Sequence, residues 1–409
     1  MKTRNQCIWI LIITAVLTLA YLPAYAQRFG AMDPGSISGR VMISNGPGGP
    51  IHGGESAVTS MVLMDGWVYG STGATWGAQS CHLFRSDGET VEHVLNITDK
   101  LPGQVKVCNL VHGPRNTLVG GTTTYNEIFD DTKKKYNGGF LFSFDPRTNA
   151  FVDLGIISPG QGINCVAIDT LHTRIYCVTY PDAHLFAFNY ETREKKDYGQ
   201  VMLPWRVKDL GKVSWRGVPK VLMIDDAGTV YFSAYYDEGA KKDDQGILSN
   251  TGRVGGRIMR LAYGDEKPVF TGAVIPTQKG MHNDPLYENT IVSAIKARDG
   301  GFWCGSSVDG FLFKFYPSTS TVVNKGKAFN YWNLRSLAYG NDGKLYMLGG
   351  RDYDNSWLMC YDTHTGSIDC LGWPSNTTQC STICADKEGR ILIGENLRNS
   401  FIYVYGKSK

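Results

Sequence analysis

One pattern of apolar and polar positions recurs along the chain. A short run of small apolar residues leads into a polar or glycine turn. A second run, β-branched or aromatic, follows and ends on Gly, Ser or Thr. Met61-Val62-Leu63, Asp65-Gly66 and Trp67-Val68-Tyr69-Gly70-Ser71 form the first copy, and six more place their turns near positions 115, 172, 227, 299, 342 and 388. Alternating runs broken by Gly, Asn and Asp predict antiparallel strand pairs. The turns are spaced mostly 43 to 57 residues apart, with one longer gap, and that period fits one four-stranded blade per copy.

A third strand follows each pair. His82-Leu83-Phe84, Phe140-Leu141-Phe142, His184-Leu185-Phe186 and Phe311-Leu312-Phe313 fill the same slot. A fourth closes each blade after a second turn, such as Asp145 to Asn149 or Asp362 to Gly366. After Gly389 only 20 residues remain, enough for two strands, the last at Phe401 to Tyr405. Gly39 to Ile43 has no partner ahead of the first blade. Pairing it onto the last blade closes the ring and removes an open edge. The expected architecture is all-β: a seven-bladed β-propeller with four antiparallel strands per blade, closed by the N-terminal strand.

Composition changes this picture mainly at the N-terminus. Lys2 and Arg4, the apolar run Ile8 to Leu19 and Ala24-Tyr25-Ala26 read as a secretory signal over 1–26. Residues 27–409 then form a single exported domain, periplasmic or extracellular, and monomeric. The apolar run is shorter than the roughly 20 residues a spanning helix needs, so no membrane insertion is expected. Net charge is +3 for the whole chain, and two of those charges leave with the signal. Nothing there favours nucleic acid or an anionic surface. The cysteines after the signal sit mostly inside apolar strands and read as buried free thiols. Cys360 and Cys370 flank a hairpin across which a disulfide is one reading.

A propeller gathers function on the face that carries the loops entering each first strand and those joining strands two and three. His52, His82, His184, Glu55, Tyr180, Trp215, Arg216, Tyr236, Trp332, Arg335 and Arg351 fall there. Aromatic rings stack on the apolar faces of sugars, and arginine binds a carboxylate bidentately. His82 and His184 stand where other blades carry phenylalanine. They are either packing residues or polar substitutions facing the channel. Thr122 to Gly139 and Tyr235 to Gly256 break the repeat length and wall the same face. A site on the opposite, short-turn face, around His112 or His172, is the other placement.

This inventory suits a uronate lyase better than a nucleophilic hydrolase, for which no G-x-S-x-G elbow is present. A lyase needs a cation to neutralise the carboxylate and a base to take the neighbouring proton. Arg216, His184, His82 and Tyr180 are the candidates for those roles. Trp215, Arg351, Trp332, Arg335, Tyr236, Glu55 and His52 are candidates for holding substrate.

The leader, the repeat, Gly48-Gly49-Pro50-Ile51-His52-Gly53-Gly54-Glu55-Ser56 and Ser214-Trp215-Arg216-Gly217 resemble a family of bacterial exported propellers. The resemblance covers about Ser36 to Tyr405. It implies action on L-rhamnose-α-1,4-D-glucuronate caps of plant arabinogalactan, as lyase or as α-L-rhamnosidase. No catalytic residue is carried over from it. Two other classes stay open. One is a non-catalytic propeller that binds a glycan or a protein. The other is a lactonase holding Ca2+ or another divalent metal in the central channel, with Glu55, Asn164 and Asn333 as ligands.

Overall fold

The computed structural model describes residues 37–43, 51, 57–73, 80–124, 136–202, 205–209, 212–237, 253–277, 289–307, 309–328, 333–350, 356–374, 379–396 and 401–406. The secretory signal expected at 1–26 lies outside them. Among the described residues no helix is long and apolar enough to cross a membrane.

The chain is almost entirely antiparallel sheet, with one short helix, α1 (Ile97–Lys100), as its only α-helix among the described residues. β1 (Ile37–Met42) precedes a run of four-stranded meanders. The first has strands β2 (Ala57–Met64), β3 (Trp67–Gly73), β4 (His82–Ser86) and β5 (Val91–Asn96). The next has β6 (Lys106–His112), β7 (Leu118–Thr123), β8 (Phe140–Asp145) and β9 (Ala150–Ile156). A single pair, Gly73↔Lys106, joins these two into one sheet. Separate sheets follow: β10 (Gly162–Asp169) to β13 (Lys195–Gln200) through β11 (Arg174–Tyr180) and β12 (His184–Asn189). After a hairpin of β14 (Trp205–Asp209) and β15 (Lys212–Arg216) come β16 (Leu222–Ile224), β17 (Val230–Asp237), β18 (Arg253–Leu261) and β19 (Val269–Val274). β20 (Ile291–Lys296), β21 (Phe302–Ser306), β22 (Phe311–Tyr316) and β23 (Thr321–Lys327) make another. β24 (Asn333–Tyr339), β25 (Leu345–Gly350), β26 (Trp357–Tyr361) and β27 (Ile368–Gly372) make the next. The last joins β28 (Cys380–Ala385), β29 (Ile391–Glu395) and β30 (Phe401–Tyr405) to β1, in the order β1-β30-β29-β28.

The closure expected from Gly39 to Ile43 is therefore present: Arg40 pairs with Tyr403 and Val41 with Ile402. The first strands of successive meanders lie against one another, β2 on β6, β6 on β10, β10 on β16, β16 on β20, β20 on β24 and β24 on β28. β28 then returns to β2, so the first strands form a closed ring, the inner wall of a β-propeller.

A shared irregularity fastens this ring. Except for the three-residue β16, each first strand shifts register near its start, as between Val58 and Ser60 or between Leu334 and Ser336. A bulge re-aims a side chain that regular alternation would send to one face. Here it aims a small polar side chain at the next first strand. Leu110 N–H donates to Ser60 Oγ (3.1 Å), Val166 N–H to Asn109 Oδ1 (2.9 Å), and Ile383 N–H to Ser336 Oγ (3.0 Å). Ser293 Oγ donates to the Leu334 carbonyl (2.5 Å), and Ser381 Oγ to the Val58 carbonyl across the closure. Asn164 belongs to this series: its amide donates to the Pro219 carbonyl at 2.7 Å.

The core lies between the sheets in clusters shared by neighbours. One packs Met64 and Leu83 against Leu110 and Phe142; another packs Leu348 against Ile383 and Tyr403. All nine described cysteines are free thiols. The disulfide reading of Cys360 and Cys370 fails on register. Cys360 pairs with Asp369 and Met359 with Cys370, so one residue of offset sends the two sulfurs to opposite faces.

Candidate functional site

The third-strand slot recognised in sequence is one structural position. In four sheets a hydroxyl at the end of the second strand accepts the N–H of the slot residue. The pairs are Thr72 with His82 (3.0 Å), Thr122 with Phe140 (2.9 Å), Thr179 with His184 (3.0 Å) and Ser306 with Phe311 (2.9 Å). Across from it, on the outermost strand, is a second equivalent position. Phe84 pairs with His93, Phe142 with Asp153, Phe186 with Asp197 and Phe313 with Asn324. Asp153, Asp197 and Asn324 each accept the N–H of a glycine two residues on, Gly155 (2.7 Å), Gly199 (2.7 Å) and Gly326 (2.8 Å). Those glycines have φ of 97°, 84° and 102°, a region that side chains disfavour.

The two slot histidines both turn toward this outer position. His184 Nδ1 lies 3.0 and 3.2 Å from the two Asp197 oxygens. A carboxylate accepts the Nδ1 proton, so the pair holds the tautomer whose Nε2 carries the lone pair. The ring is 36 % exposed, so this Asp-oriented imidazole can meet a solute. His82 is buried at 8 %, with Nε2 2.7 Å from Ser80 Oγ and Nδ1 3.1 Å from His93 Nε2. The alternative in which these rings face the channel is therefore corrected: each slot borders the fourth strand, and that strand supplies the polar partner a displaced phenylalanine did not need.

His82 and His184 belong to different sheets and are not brought together. Tyr180 ends β11, four residues before His184, and is 6 % exposed. Arg335 is the residue the bulge adds to β24, and its Nε donates to the Gly350 carbonyl at 3.2 Å. Tyr236 lies on β17 opposite Val254. His52, Glu55, Trp332 and Arg351 lie outside the described residues, as do most of the two long loops. The second of those loops is shorter than expected, because β17 and β18 run on to Asp237 and from Arg253.

Trp215 and Arg216 lie on the extra hairpin between β13 and β16. Its register pairs Trp205 with Arg216 and Arg206 with Trp215. The same Trp-Arg dipeptide thus stands on both arms. Trp205 and Arg206 were missed in the sequence, although the dipeptide repeats ten positions apart. Trp205 and Arg216 form the foot of the hairpin. Gln200, the last residue of β13, pairs with His184. Five residues of chain reach at most about 18 Å, so the foot is rooted within that distance of the His184 strand end. Asp197, His93 and Ser80 were also missed, because each matters only through the histidine it touches.

Among the described residues no group of three His, Cys, Asp or Glu side chains is arranged to hold a metal. No family profile and no curated protein matches the sequence. Solved structures do resemble the fold. A catalytically inactive virginiamycin B lyase from Staphylococcus aureus with quinupristin matches at a TM-score of 0.58 and 11 % identity, over 90 % of this chain and 98 % of that one. The extracellular domain of the putative one component system BT4673 from B. thetaiotaomicron matches at 0.55 and 15 % identity, over 86 % of this chain. This chain spans 38 % of the length of that second structure. At such identities the likeness establishes the propeller-like fold and nothing finer.

Proposed function

We propose that the chain is an exported, monomeric, seven-bladed propeller enzyme that cleaves the L-rhamnose-α-1,4-D-glucuronate linkage of plant arabinogalactan side chains by β-elimination at the uronate. The observation that supports this reading most is the pairing of Trp and Arg on a hairpin whose foot lies within about 18 Å of the strand end that carries the Asp-oriented His184. Arg216 pairs with the substrate carboxylate, which acidifies the proton on the adjacent ring carbon. His184 Nε2 takes that proton, the bond from the ring to the rhamnosyl oxygen breaks as the double bond forms, and the imidazolium gives the proton to the departing oxygen. Asp197 stabilises the imidazolium so produced. Trp205, the register partner of Arg216, offers a ring for the sugar face. Tyr180, being buried, is less suited than His184 to act as base.

The test is incubation with a rhamnose-capped arabinogalactan such as gum arabic, reading ultraviolet absorbance and free rhamnose together. Elimination gives rhamnose and an absorbing unsaturated uronate. Rhamnose without absorbance means hydrolysis by an α-L-rhamnosidase. Neither product refutes cleavage of this linkage. His184→Phe installs the side chain that two equivalent slots already carry, so loss of product with an unchanged fold supports the site, whereas full activity refutes it.

A further inference from the structure

The sheet of β2 to β5 departs from its sisters at two coupled positions. Where β8 and β22 place phenylalanine in the slot, β4 has His82. Where β9, β13 and β23 place Asp or Asn opposite, β5 has His93. The two imidazoles meet edge to face, with ring centroids 5.2 Å apart and planes at 65°. A third departure completes the set: Ser80 Oγ lies 2.7 Å from His82 Nε2.

The contacts accommodate a directed chain of donors. A neutral His93 offers Nε2 as an acceptor to His82 Nδ1, and His82 Nε2 then accepts from the Ser80 hydroxyl. Burial lowers the His93 imidazole below its ordinary range despite nearby Asp99, which favours the neutral ring. In that form the three groups stand as an activated serine requires: hydroxyl to imidazole, imidazole to an orienting acceptor.

We propose that Ser80, His82 and His93 form a second, acyl-transferring site, in which Ser80 is the nucleophile for a small carboxylic ester. Ser80 Oγ attacks the ester carbonyl carbon and its proton passes to His82 Nε2. The carbon–oxygen bond to the alcohol breaks, and that alkoxide takes the proton from His82. Water then attacks the acyl-serine, its proton passing through His82 back to Ser80 Oγ as the carboxylic acid leaves. His93 is a positioning residue, acting only through His82. Ser80 is 9 % exposed, which limits the site to compact acyl groups. The N–H groups of Cys81 and His82 are engaged by Thr98 and Thr72 hydroxyls, so they do not form the oxyanion hole and turnover is expected to be slow.

This inference is independent of the glycan reading. The experiment uses the whole exported chain and a fluorophosphonate probe, with the adduct located by peptide mass spectrometry and p-nitrophenyl acetate hydrolysis followed alongside. A single adduct on Ser80 is expected. His82→Phe, the side chain of the sister slots, should slow labelling about 100-fold or more, the scale of a lost general base. His93→Asp, the residue of two sister sheets, still accepts from His82 Nδ1 and should keep labelling within about threefold, while His93→Leu should slow it about tenfold. A merely structural role would not distinguish Asp from Leu at equal thermal stability. No adduct on Ser80, or an unchanged rate in His82→Phe, overturns the proposal.

Discussion

Ring closure can be tested by one truncation. Ile43 follows β1, is fully buried, and its carbonyl accepts the Ile51 N–H at 2.9 Å. Its side chain sits among Val58, Met61, Val68 and Phe84 of the first sheet and Leu392, Ile402 and Val404 of the closing sheet. Ile43→Ala removes about three carbons at about 0.8 kcal/mol each, or roughly 2.4 kcal/mol of transfer free energy. A pocket walled by two sheets and the β1 backbone collapses poorly, so the cavity raises the cost to about 3 to 4 kcal/mol. Guanidinium denaturation should show that loss, with Leu171→Ala, at a residue 64 % exposed, staying within about 0.5 kcal/mol. Hydrogen exchange should localise it: amides of β1 and β30 lose protection before those of β20 to β23. A loss below about 1 kcal/mol, or equal loss of protection in both places, would show that the N-terminal strand does not hold the ring shut.

Other consequences follow from single contacts. A Cβ on Gly120 would stand 2.4 Å from the Phe142 ring, so Gly120→Ala should cost about 1 to 3 kcal/mol in chemical denaturation, and Phe142→Leu in the same chain should relieve part of it. Arg390 Nε is 2.6 Å from Asp386, both nearly buried, and its NH2 donates to the Asp87 carbonyl of the first sheet; Arg390→Ala should cost about 3 kcal/mol, and a double-mutant cycle with Asp386→Ala should show strong coupling. Lys314 holds the Asp299 carboxyl below the ordinary carboxylate range and is itself raised by it. Their contribution is present above about pH 4, fades as pH falls through the lowered Asp299 value, and fades again above about pH 10; Lys314→Met should flatten the acid limb of stability against pH. Burial pushes the Cys108 and Cys384 thiols up to about 12, so the folded protein should resist Ellman's reagent at pH 8 and react fully in guanidinium.

The strands and their closure were legible because the signals that set them are local. Asp65-Gly66 and Glu388-Gly389 make tight turns, and alternation on either side pairs the strands. The bulges were not legible. Alternation offers a side chain two faces of a sheet, and Ser60, Asn109 and Asn164 take a third direction, along the ring. For Asn164 it is the register shift between Ile163 and Cys165 that turns the amide nitrogen to the Pro219 carbonyl. The same limit applied to Cys360 and Cys370, whose separation is decided by one residue of register. The β14–β15 hairpin escaped because it adds strands that belong to no meander, inside a spacing that still looked regular.

What distinguishes the two histidine sheets is the outer partner rather than the histidine. An imidazole in a slot built for phenylalanine must find a hydrogen-bond partner, and both do so at the same place on the fourth strand. With His93 there, the chain of hydrogen bonds runs on through His82 to a serine. With Asp197 there, a carboxylate holds the Nδ1 proton and leaves Nε2 of a part-exposed ring as the acceptor. Asp197→Asn separates these roles, since Asn324 makes the equivalent bond to Gly326 in a sister sheet. The variant keeps the Gly199 bulge and should denature within about 0.5 kcal/mol of the parent. It removes the charge beside His184 and should lower elimination about 100-fold at saturating substrate. Unchanged turnover in a stably folded Asp197→Asn would assign the carboxylate to the bulge alone and remove His184 from the reaction.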